Sequence, residues 1–153
     1  MQIQKIELFK VIGIKIRTTN KNGQSAKDIG SLWAKFLSEN IADKIPNKID
    51  RSILSIYTNY QGDYTQPYDT ILGCKLSSLN EIPKEMIGQE FNGGEYVKYV
   101  SKGSLNKGIV YQTWDKIWKS DLNRAYTADF EVYGERAQNP ENAEVDIFVA
   151  VKE

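Results

Sequence analysis

The chain has 153 residues, 41% of them apolar and 26% charged, a composition that fits one globular domain over 1–153 and excludes a disordered chain. Lys plus Arg equals Asp plus Glu at 20 each, and no basic run is dense enough to track a phosphate backbone, so direct contact with nucleic acid is not expected. Histidine is absent, which excludes triads with an imidazole base and helix zinc motifs and leaves chemistry to carboxylates, Tyr and Lys.

The N-terminal stretch is broken by Lys5 and Glu7 where a signal peptide needs an unbroken apolar run, and no later run is long enough to span a bilayer. A cytoplasmic protein with no membrane partner is the expectation. Residues 3–9 and 10–18 then read as strands. Ile12, Ile14 and Ile16 alternate with small or polar neighbours, and 3–9 is expected to pair alongside them.

Lys21-Asn22-Gly23 makes a turn, and Ser25 with Asp28 three residues later resembles a capping box opening a helix that runs to about Glu39. Ile29, Leu32, Trp33 and Phe36 fall on one helical stripe, with Lys27, Asp28, Lys35 and Ser38 off it, so the stripe packs on a sheet. After turn residues at 45–50 comes a hairpin from 53–60 and 69–76, with Gly62 and Pro67 in its long tip. Cys74 lies in the second of these strands; alone, it forms no internal disulfide and reads as a small buried hydrophobe.

The second half repeats this order: a strand at 95–101, a turn at 102–104, a helix to about Lys119 with Val110, Trp114, Ile117 and Trp118 apolar, and a hairpin from 130–133 and 145–151. The polar connection 134–143 carries Pro140 and reads as a mobile loop. No glycine-rich phosphate cradle is present: Asn92-Gly93-Gly94-Glu95 lacks the required Lys-Ser/Thr and glycine spacing. Asp63, Asp69 and Asp146 have no metal-loop spacing, so neither metal nor cofactor is expected.

The halves echo each other. Residues 31–37 align without a gap against 112–118, Trp33 over Trp114 and Lys35 over Lys116, and in the following strands Thr58 lies opposite Glu131. Two strand-helix-strand-strand repeats about a pseudo-twofold axis make an α+β fold: an antiparallel sheet, two helices and a groove between them, edged by Trp and Tyr and acidic on one side. Glu131 and Tyr133 share a face of their strand. Among rings, a partly desolvated Glu131 would attract a flat organic cation, each π-face adding about 0.5–2 kcal/mol. The commoner fate of a strand glutamate is a solvated surface, and that of Trp at helical spacing is the core. The candidate ligand-binding residues are Glu131, Trp33, Phe36, Tyr57, Tyr60, Trp114, Trp118, Tyr133 and Phe148; no catalytic residue is assigned.

Several segments together resemble the GyrI-like effector-binding domains, the ligand module of AraC-type and MerR-type multidrug regulators, and in particular the stand-alone integron-associated effector-binding proteins. They are 32–36, 45–49, 57–64, 93–96 and the Asp129-Phe130-Glu131-Val132-Tyr133 strand. The resemblance implies ligand bound between the repeats, with a glutamate at the position of Glu131 meeting cationic drugs. The regulators carry a helix-turn-helix domain ahead of this module. Here the chain starts at the first effector strand, so it is expected to sequester ligands or to act as sensor for a separate DNA-binding regulator. Two alternatives stay open: a hydrolase of small electrophilic toxins using Glu131 with Tyr133 or Tyr111, and a gyrase-inhibitor-like modulator that binds a protein partner.

Overall fold

The computed structural model describes residues 3–152. Its elements, in chain order, are β1 (Ile3–Ile6), β2 (Phe9–Thr18), α1 (Gln24–Ser38), β3 (Ile53–Thr58), β4 (Tyr68–Leu76), β5 (Ile87–Phe91), β6 (Gly94–Gly103), α2 (Ile109–Trp118), β7 (Ala128–Tyr133) and β8 (Ala143–Ala150). All eight strands join one sheet in the order β1-β6-β8-β7-β3-β4-β2-β5, each neighbour antiparallel. The two repeats expected from the sequence are visible as β2-α1-β3-β4 and β6-α2-β7-β8. They meet along β3 and β7, whose register runs from Ile53↔Tyr133 to Thr58↔Ala128.

The outer strands are exchanged. β1 does not pair with β2, as its position predicted, because both edges of β2 are taken by β4 and β5. It pairs instead with β6 of the second repeat, Ile3↔Val97 through Ile6↔Gly94. β5, a strand not anticipated from the sequence, reciprocates by completing the first repeat. Only residues 7–8 link β1 to β2 and only 92–93 link β5 to β6, so strands at opposite ends of the sheet are covalent neighbours and the sheet must curl until its ends meet. Gly93 (φ +77) sits where these links cross, and a Cβ there would run into the Ile6 carbonyl.

Alternation then divides the core. On the inner face Phe9, Val11, Leu54, Ile56, Ile71, Phe91, Tyr96 and Phe130 pack together. On the outer face α1 lays Leu32 and Phe36 over Ile12, Ile14, Leu72 and Cys74, and α2 lays Trp114 and Ile117 over Val145, Ile147 and Val149. Each such side chain contributes about 1.5–3 kcal/mol. The helices therefore cover the flanks and leave the β3–β7 seam between them as a floor. No helix of the described residues is long and apolar enough to cross a membrane.

Two local expectations are corrected. The capping box is not formed: Gly23 caps α1 in a left-handed conformation, while the Asp28 carboxylate accepts from the Thr18 hydroxyl (2.9 Å) and the Gln24 amide (3.1 Å). The 134–143 connection is fastened rather than loose. It makes a short 3-10 turn, Glu135–Ala137, Arg136 pairs with Asp146, and the Pro140 carbonyl accepts from the Leu105 N–H at 2.7 Å.

Candidate functional site

The floor of the groove is set by the pleat of β7. Asp129, Glu131 and Tyr133 point toward the helices, while Phe130 turns into the inner core. Thr58, aligned with Glu131 by the sequence echo, is paired with Ala128 and lies on the inner face; the residue across the seam from Glu131 is Ser55. Asp129 shares the strand face of Glu131 but is 0% exposed and does not line the cavity, whereas Glu131 does.

Glu131 is 2% exposed. Its Oε2 accepts from the Tyr57 hydroxyl (2.7 Å) and the Trp114 indole N–H (2.7 Å), and its Oε1 from the Tyr133 hydroxyl (2.6 Å). Ser55 donates in turn to the Tyr57 oxygen at 3.1 Å. Among the described residues, no ion pair includes Glu131. Burial pushes its carboxyl above the ordinary range and the three donors pull it back. Burial, and then the Glu131 charge, hold the Tyr57 and Tyr133 phenols well above their usual value, so both remain donors at neutral pH.

Asp129 is occupied differently. Its Oδ2 accepts from Arg124 (2.7 Å) and the Tyr60 hydroxyl (2.6 Å), and its Oδ1 from the Ala150 N–H (2.8 Å). The Arg124 guanidinium lies over the Tyr126 ring at 4.3 Å and near Trp114 at 5.6 Å. Trp114 thus serves both carboxylates: its N–H holds Glu131 and its ring flanks the cation that neutralises Asp129.

Above this floor is a cavity of about 400 Å3 walled by Ala26, Ile29 and Trp33 of α1 and by Val110, Tyr111, Trp114 and Trp118 of α2, with Tyr57, Tyr60, Tyr68, Arg124, Glu131 and Tyr133 below. The rings meet mostly edge to face, Trp33 on Tyr133 at 4.9 Å and Tyr57 on Trp114 at 5.6 Å. Tyr64, from the β3–β4 tip, stacks on Trp118 at 5.5 Å and 8°. Beyond Trp33, Val110 and Tyr133 the groove continues into a wider hollow of about 970 Å3 bordered by Asp50, Arg51 and Glu135.

Of the residues predicted from sequence, Glu131, Trp33, Tyr57, Tyr60, Trp114, Trp118 and Tyr133 come together around the cavity. Phe36 and Phe148 do not. Phe36 faces the sheet from α1 and is 1% exposed; Phe148 is stacked on Phe130 at 4.9 Å on the inner face. The candidate list left out Tyr68 and Arg124, both on the cavity wall. The alternation that placed Glu131 places Asp129 on the same face, but nothing in spacing or pattern marks Arg124.

Comparison with known proteins matches residues 2–151 to the family model described as integron-associated effector binding protein. An integron cassette protein from the mobile metagenome of Vibrio cholerae is 31% identical, with a TM-score of 0.77 over 99% of this chain and 95% of that one. The Bacillus subtilis (strain 168) protein named "Putative transcriptional regulator protein YobU" is 27% identical over 98% of this chain and 96% of its own length. The structure of SAV2435 bound to tetraphenylphosphonium shares the fold, with a TM-score of 0.79 at 17% identity over 99% of this chain and 93% of that one. The chain belongs to the integron-associated effector binding family.

Proposed function

We propose that this effector-binding protein takes up amphipathic cationic aromatic compounds in the cavity between α1 and α2, with Glu131 as the counter-charge, and acts as a sensor or a sequestering protein. The observation that carries the reading is a buried carboxylate whose three partners are all neutral donors. A carboxylate removed from water and left without a counter-ion attracts any positive centre that enters the same low-dielectric space. The surrounding π-faces add to that attraction without demanding one shape, which favours modest affinity for many cations. That SAV2435, which shares the fold, is seen with tetraphenylphosphonium supports the choice of ligand class. A separate DNA-binding partner fits the sensor role, and single-domain organisation over 1–153 fits the one continuous sheet.

Tetraphenylphosphonium and tetraphenylborate have the same shape and opposite charge, so titrating both by calorimetry isolates the sign of the site. The cation is expected to bind saturably at micromolar to submillimolar concentration and the borate to give no saturable heat. Equal binding of both would remove Glu131 from the account.

A further inference from the structure

Arg124 is satisfied on one side only. It is 6% exposed, its Nη2 donates to Asp129, and its Nε and Nη1 have no hydrogen-bond partner in the protein. Buried donors are nearly always paired, and an unpaired charged one is the costliest kind to leave. Asp129 meets the guanidinium only through Nη2, and its two oxygens also take Tyr60 and the Ala150 N–H. Rings cover the guanidinium from Tyr126 and Trp114, and the residue forms part of the wall of the cavity that holds Glu131.

We propose that Arg124 is a second polar subsite of this cavity, taking an anionic oxygen of the guest, so that the preferred ligands are zwitterions: an aromatic cation directed to Glu131 that also carries a carboxylate. The two subsites share one indole, whose N–H donates to Glu131 and whose ring lies 5.6 Å from the Arg124 guanidinium. An anionic oxygen is the natural partner for a free guanidinium N–H, and a carboxylate could take one of the two unpartnered nitrogens together with the second N–H of Nη2. This inference rests on the proposed cation site at Glu131 and narrows its ligand class.

The test compares 3- and 4-(trimethylammonio)benzoate with their methyl esters, which keep the ring and the cation and lose only the anionic oxygen. Calorimetric titration of the wild-type chain is expected to favour at least one acid over its ester by about 5-fold or more, and Arg124→Met/Asp129→Asn to bring that ratio close to one. The paired substitution removes charge and counter-charge together and should keep the near-UV dichroism of the fold. If it does not fold, Arg124→Lys, which preserves a positive charge opposite Asp129 without the fork, is expected to cut the ratio at least 2-fold. Esters that bind as well as both acids would mean that a buried water completes Arg124 and would overturn the proposal while leaving the cation site standing. A ratio that survives the substitutions also overturns it. Silence from all four probes does the same, and a parallel titration with tetraphenylphosphonium then reports whether the cation reading has failed with it.

Discussion

Asp129 and Glu131 lie two residues apart on the same face of β7, are 0% and 2% exposed, and each accept three hydrogen bonds. One has a guanidinium against it and the other has only phenols and an indole. Identical burial therefore serves opposite ends. Asp129 has its charge cancelled within the protein and ties the 119–127 segment to β7 and β8, whereas Glu131 has no ion-pair partner among the described residues and lines the cavity, which is what the proposed cation site rests on. The distinction lies in the partners, since two phenols and an indole lower the cost of a buried anion without quenching its attraction for cations.

The comparison is broken most severely at Asp129. Asp129→Asn leaves Arg124 buried and unpaired and is expected to cost about 3–5 kcal/mol in urea unfolding, whereas Arg124→Met/Asp129→Asn should cost far less than either single change. If the singles and the double are alike, the pair is not coupled and Asp129 is no different from Glu131. Next comes Glu131→Gln, which removes the charge but keeps an amide that can accept from Tyr57 and Trp114. Its expected effect is a loss of tetraphenylphosphonium affinity of about 10-fold or more, near 1.4 kcal/mol, with the fold intact by circular dichroism.

A smaller effect sharpens the contrast through pH. Burial raises both carboxyls. For an acid whose folded pKa exceeds its unfolded value, ionisation penalises the folded state; the penalty is complete above the folded pKa and fades as pH falls through it toward the unfolded value near about 4.3. Glu131→Gln is thus expected to unfold at higher urea than wild type at neutral pH, with the difference narrowing as pH falls toward the ordinary carboxyl range, and a difference that widens on acidification would contradict a raised Glu131. The smallest changes separate wall from core. Trp118→Ala should weaken cation binding by about 0.5–2 kcal/mol, while Phe148→Leu, behind the sheet, should leave tetraphenylphosphonium affinity within 2-fold of wild type and show its effect only in unfolding.

Much of this was legible in the sequence because it is local. Period-two and helical patterns located both helices and the strands of each repeat, and the pleat alone put Glu131 and Tyr133 on one face. What failed was long-range. The pairing of β1 depends on which edges of β2 are vacant, and that is decided by residues some seventy positions away. β5 carries Gly88 and Glu90, poor strand formers, and exists because β2 offers it an edge. Phe36 and Trp33 occupy the same helical stripe, yet one turns to the sheet and the other to the groove, a rotation too small for periodicity to resolve. Arg124 sits in an irregular segment, and its meeting with Asp129 is made by the chain's return onto β8 at the Arg124↔Val151 bridge.

The exchange of outer strands bears on how freely the two halves can move apart. Each repeat is completed by a strand that belongs by sequence to the other, and the halves are further joined along the β3–β7 ladder. Clasped at the seam and at both margins, they cannot hinge apart like the lobes of a clamshell. Any widening of the cavity would then come from rotation of the aromatic side chains and from shifts of the two helices over that frame.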